Sequence, residues 1–108
     1  MRKNKQYRRE INGLYCCNCY SAPPNECAHI RKFSGAGVAQ KPKDKGETVP
    51  LCNKCHSLQH KNGELSFWGG DTGVLMARGF AQLLASASPM DRPIIVWRFY
   101  NDVRKPSS

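Results

Sequence analysis

Thr48-Val-Pro-Leu-Cys-Asn-Lys-Cys-His-Ser-Leu-Gln-His60 changes character halfway along. Its first five residues are short and apolar, which predicts a strand over 48–52. From Asn53 the pattern turns polar. Asn53 can cap a helix and Asn62-Gly63 can stop it, so a brief helix over 53–60 or 61 follows the strand directly. Cys52 and Cys55 straddle the junction as a C-x2-C knuckle, which presents two thiolates from one tight turn. On the helix, His56 and His60 stand one turn apart on one face, where two imidazoles can share a metal ion.

A matching knuckle, Cys16 and Cys19, lies upstream. Two such pairs complete the tetrahedral four-cysteine shell of a structural Zn2+. Residues 20–51 separate them, well beyond the roughly 15–20 residues of a simple zinc ribbon, so a hairpin and a loop must be housed between the knuckles. Cys17 can replace Cys16 only in a shifted knuckle, and the gap between 16 and 19 is the one that matches the second pair. Cys17 and Cys27 are left without a role. A closed four-cysteine shell has no open position, so by itself it braces the fold and explains no chemistry.

A brace is what this composition needs. The chain has 108 residues, with 17 Lys and Arg against 8 Asp and Glu for a formal charge of +9, six Cys and three His. A chain of this size hides only about two-thirds of its unfolded surface on folding, which excludes a barrel or doubly wound enzyme. No apolar run approaches the roughly 20 residues that cross a bilayer, and the start of the chain lacks the apolar stretch and cleavage site of a signal peptide. The expectation is a soluble cytoplasmic protein without a membrane partner, in which Cys are metal ligands or buried thiols rather than disulfides.

The positive charge is clustered. Arg2, Lys3, Lys5, Arg8 and Arg9 lie together, and Arg31, Lys32, Lys41, Lys43 and Lys45 surround a Gly-rich stretch at 34–37. An arm and a loop of this kind form the electrostatic footprint of a nucleic-acid binder, and the bland alternative is a solvated basic surface. Residues 1–10 hold only Tyr7 as a large apolar group, too little for an interfacial membrane helix. They read as a flexible arm.

The remaining pattern is short. Residues 11–15 and 27–30 look strand-like, with a Pro-Pro-Asn turn between them, and 34–47 form a long polar loop. Apolar positions 75, 76, 80, 83 and 84 predict a core helix over 71–85, in which Gly79 costs about 1 kcal/mol relative to Ala. Pro93–Tyr100 is β-branched and aromatic and predicts a strand, with a basic disordered end at 104–108. One domain over 11–103, with its core at 14–62, accounts for the chain.

His29 sits in the strand-like patch just ahead of the basic loop. The set that runs from Cys16-Cys-Asn-Cys19 through Ala28-His-Ile-Arg31 and Lys41-Pro-Lys-Asp44 to Val49-Pro-Leu-Cys-Asn-Lys-Cys-His56 and Gln59-His60 resembles the HNH (ββα-metal) endonucleases. It is most similar to a phage and prophage branch that includes recombination-enhancement nucleases. The resemblance implies an α+β fold: a small zinc-braced ββα-metal core with an added C-terminal helix and strand and a flexible basic N-terminal arm. It implies a general-base role for His29, a catalytic ion on His56 and His60, and structural zinc on Cys16, Cys19, Cys52 and Cys55. Two positions depart from the pattern. Ala28 stands where many members place a metal-binding Asp or His, and the family's middle Asn is absent. Asp44 is the replacement in either role, as metal ligand or as brace, and Glu47 is a weaker candidate for the brace.

The chemistry implied is hydrolysis of DNA phosphodiester bonds. An imidazole, whose free pKa is about 6.5, suits proton abstraction from water at neutral pH, and a divalent ion (Mg2+, Mn2+, Ni2+ or Zn2+) relieves charge at the phosphate. Arg31, Lys32, Lys41, Lys43 and Lys45 would hold flanking phosphates without reading sequence. DNA is the expected partner, single-stranded, branched or duplex, and a recombinase is the protein partner that this branch suggests. The rival reading is a non-catalytic zinc-stabilised nucleic-acid-binding module. A third, an assembly adaptor, rests on Phe67-Trp68 and the Trp97–Tyr100 segment.

Overall fold

Thr48, Val49, Pro50 and Leu51 are all buried, as a short apolar run bounded by a turn and a helix cap should be. The computed structural model describes residues 2–33 and 45–105. In chain order it contains α1 (Arg2–Asn12), β1 (Glu26–His29), β2 (Thr48–Leu51), α2 (Asn53–Asn62), α3 (Glu64–Trp68), α4 (Gly70–Ser86), α5 (Arg92–Phe99) and a π-helical turn over Tyr100–Arg104. The class is α+β. Strands β1 and β2 pair antiparallel, with Glu26 opposite Leu51 and His29 opposite Thr48. The central order of strand, strand, helix and the core helix α4 agree with the sequence reading. Among the described residues, no helix is long and apolar enough to cross a membrane.

Three segments differ from expectation. Residues 2–12 form α1 rather than an arm. Tyr7, Ile11 and Leu14, spaced as one helical face and its exit, are buried, while Lys5, Arg8 and Arg9 stay exposed. The charged majority masked this thin apolar stripe. Ile11 belongs to this helix, so no strand forms over 11–15. The anchor is mutual: buried Arg92 pairs with Glu10, lies over the Tyr7 ring at 5.1 Å, and donates to the Leu84 carbonyl at 2.8 Å.

The second correction is Pro93–Tyr100, which is helical. Pro93 sits in the first turn of α5, where its missing N–H costs nothing. Arg92, Val96 and Phe99 recur at helical spacing on the buried side, and this tertiary packing overrides the β propensity of the run. Phe99 stacks on Phe80 of α4 with centroids 4.2 Å apart.

The third correction is the C-terminal end. Arg104 is ordered in the π-helical turn and donates to the carbonyls of Phe67 and Trp68, whereas 106–108 lie outside the described residues. These contacts reach α3, a helix the sequence reading did not foresee. Trp68 is its buried anchor and meets Phe67 and Phe99 edge-on. Gly69 ends α3 in the left-handed region (φ 93°). Four residues later Gly73 passes so close to the Trp68 carbonyl that a Cβ would collide with it.

Candidate metal centre

The two knuckles meet. The Sγ atoms of Cys16, Cys19, Cys52 and Cys55 all lie within 4.8 Å of one another. Cys19 and Cys52 approach to 3.7 Å, close to the roughly 3.8 Å between sulfurs that share a tetrahedral ion at about 2.3 Å. Backbone bonds build the site. Tyr20 N donates to the Cys16 carbonyl at 2.8 Å, Cys16 N to the Ser21 carbonyl at 3.0 Å, and Cys17 N to the Pro50 carbonyl at 2.9 Å, which docks the first knuckle on β2. At the second knuckle Cys52 caps α2, its sulfur accepting from Cys55 N at 3.4 Å. Four thiolate donors in this arrangement fit a Zn2+ ion, and Cys17 lies outside the group, fully buried.

The thiols differ in acidity. Burial raises Cys16 and Cys55, and raises the noncoordinating Cys17 most clearly. Burial works the same way on Cys19, but hydrogen bonds from Ser21, Cys16 and Cys52 outweigh it and hold this thiol at about 7. Asn18, inside the first knuckle, donates to Cys55 Sγ at 3.4 Å.

A second cluster forms on the other side of α2. His56 Nδ1 lies 2.7 Å from Glu26 Oε1, and His56 Nε2 lies 3.1 Å from His60 Nε2. Asn53 holds the second carboxylate oxygen, donating to Glu26 Oε2 at 2.9 Å. The Asn53 bond, then the His56 bond, push the Glu26 carboxyl below its usual range. Helix α2 thus runs beside β1, with Asn53 and His56 facing Glu26 and Gln59 facing His29. Gln59 is buried; it donates to the His29 carbonyl at 3.3 Å and accepts from the Trp68 indole at 2.7 Å.

The exit from β1 is also clamped. The backbone N–H groups of Arg31 and Lys32 donate to the two carboxylate oxygens of Glu64 at 2.8 and 2.9 Å. Arg78 of α4 donates to the Ile30 carbonyl at 2.9 Å and pairs with Glu47 at 3.6 Å. Glu47 is therefore committed to the buried side of the hairpin. Arg31, Lys32 and Lys45 are exposed. Asp44, Lys41 and Lys43 lie outside the described residues.

Sequence reasoning missed Glu26, Gln59, Glu64 and Arg104. Each acts through a partner distant in the chain, and no spacing rule announces that. Ala28 is fully buried, so the position gives no ligand, but two residues earlier Glu26 brings a carboxylate to the same helix. No protein-family model, curated protein or solved structure matches this chain.

Proposed function

We propose that the chain is a metal-dependent endonuclease that hydrolyses DNA phosphodiester bonds. The observation that carries this reading is the pair of ring nitrogens on His56 and His60, 3.1 Å apart, with Glu26 behind them. Two nitrogens each about 2.0–2.1 Å from one ion sit roughly 2.8–3.4 Å apart between octahedral and tetrahedral angles, so the residues present fit a divalent ion. Such an ion, when bound, supplies charge relief at the scissile phosphate and its leaving oxygen. His29, on the strand beside α2, would accept the proton of the attacking water, and its backbone is held by Gln59 for that task. Arg31 and Lys32, with their amides tied to Glu64, would meet flanking phosphates, joined by Lys45. The likeness to a ββα-metal core, a phage or prophage origin, a cytoplasmic site of action and a recombinase partner belong to the same reading.

The test incubates supercoiled plasmid, branched DNA and single-stranded DNA with wild type and His29→Ala, each with Mg2+, Mn2+ or chelator. Metal-dependent cutting by wild type, with binding but no cutting by His29→Ala, is the expected result. If both bind equally and neither cuts under any metal, the protein is the zinc-stabilised binding module instead.

A further inference from the structure

Neutral imidazole has one N–H and one lone pair, and whatever accepts from the first nitrogen decides where the second lone pair points. Glu26 Oε1, an acceptor only, lies 2.7 Å from His56 Nδ1. That contact requires the proton on Nδ1. The Nε2 lone pair is then directed outward and accepts from His60 Nε2 at 3.1 Å; an ion taking the place of that shared proton would meet both nitrogens once His60 carries its own proton on Nδ1. The rings are tilted by 38° with centroids 4.8 Å apart, so they do not stack flat. Glu26 is itself restrained. Its other oxygen accepts from Asn53 at 2.9 Å, and its backbone is locked in β1 opposite Leu51. A rigid strand therefore sets the orientation of a ring on a neighbouring helix.

We propose that Glu26 is a positioning residue for His56, fixing the tautomer and ring orientation that turn His56 and His60 into a two-nitrogen clamp for a transition-metal ion in preference to Mg2+. This rests on the reading of His56 and His60 as metal ligands. Without Glu26 the ring can put its proton on Nε2 and turn away, and the clamp loses one donor. A carboxylate behind a ligating imidazole also raises its basicity, and losing such a partner typically costs about 10–100-fold in metal affinity. The selectivity follows from donor type. Two imidazole nitrogens suit Ni2+, Cu2+ or Zn2+, whereas Mg2+ prefers an all-oxygen shell and gives up water reluctantly.

The experiment uses the full chain with Zn2+ at the four cysteines, in wild type, Glu26→Ala and Glu26→Gln. Long-range 15N–1H correlation spectra of the metal-free rings report the His56 tautomer. Ni2+ titration, read by paramagnetic loss of the His56 and His60 signals, reports binding, with and without excess Mg2+. Wild type should show the Nδ1–H tautomer and take up Ni2+ at both rings, unaffected by Mg2+. Glu26→Ala should show a mixed tautomer and about 10–100-fold weaker Ni2+ binding. Glu26→Gln, whose amide oxygen can still accept, should recover part of both. Unchanged tautomer and Ni2+ affinity in Glu26→Ala overturn the positioning role. Displacement of Ni2+ by Mg2+ overturns the selectivity. If the tautomer depends on Glu26 but Ni2+ never reaches the wild-type rings, the clamp and the metal-dependent reading fail while the Glu26–His56 contact stands.

Discussion

Asn18 and Arg104 are bonded side chain to side chain, with Arg104 Nε donating to Asn18 Oδ1 at 2.8 Å while the Asn18 amide donates to Cys55 Sγ. The end of the described chain thereby braces the first knuckle. Four thiolates around a Zn2+ ion would carry a net charge of about −2, which a half-buried guanidinium one residue removed would offset. The same guanidinium reaches the Phe67 and Trp68 carbonyls and lies 4.9 Å from the Trp68 ring centroid. Arg104→Ala strips three hydrogen bonds and this packing at once, for a loss of about 2–3 kcal/mol. A drop in Tm of about 10–20 °C is expected in thermal denaturation. Arg104→Lys, with no planar fork, should recover little of it. A Tm within experimental error of wild type for Arg104→Ala would show that the bridge is decorative.

Metal removal should be more severe. An ion at the knuckles would join residues 16–21 to the junction of β2 and α2, beside the bonds from Cys17 N to the Pro50 carbonyl and from Asn18 to Cys55 Sγ. Stripping the ion with a strong chelator, or Cys52→Ser, should abolish the cooperative melt followed by far-UV circular dichroism and release one equivalent of zinc to a colorimetric indicator. Unchanged zinc content and melting in Cys52→Ser would remove Cys52 from the ligand set.

The parts of the molecule written as short-range patterns were legible. Cys52-x2-Cys55 and the polar run after it contain both the knuckle and the helix that carries His56 and His60, because each depends on spacings of three or four residues. The segments that misled were those in which a long-range contact reverses a local preference. Pro93–Tyr100 has strand residues, yet Val96 and Phe99 are buried at helical spacing, with Phe99 stacked on Phe80 of α4, and the helix wins. Residues 1–10 look like a charged arm until Arg92, on α5, provides a lid for Tyr7 and a partner for Glu10. Glu26 was invisible for the same reason: its significance is the ring on His56, thirty positions away.

Tyr7 gives a pH signature for that docking. Burial raises its hydroxyl pKa, against the lowering effect of the Arg92 guanidinium. In the unfolded chain a tyrosine ionises near pH 10, so above about pH 10 the unfolded state loses a proton that the folded state retains. Stability therefore falls as pH rises through this window. Tyr7→Phe removes the ionisable group, and its urea midpoint should decline less than that of wild type between pH 9 and pH 11 (about these limits). Parallel declines in the two proteins would mean that α1 is not docked through this ring.

Gln59 couples stability to the candidate active site. Its amide oxygen takes the Trp68 indole N–H at 2.7 Å and its amide nitrogen reaches the His29 carbonyl at 3.3 Å. Gln59→Met keeps the volume and leaves a buried indole donor unpaired, for a cost of about 1–3 kcal/mol. It also removes the bond to the His29 carbonyl, and on the proposed function a general base displaced by about 1 Å can lose up to about 100-fold in rate. The two effects separate in a double-mutant cycle. With Trp68→Phe, which removes the donor, Gln59→Met should cost less stability than it does alone, while the cutting defect stays the same. If the cutting rate returns once the stability penalty is relieved, Gln59 acts only as packing and has no part in holding His29.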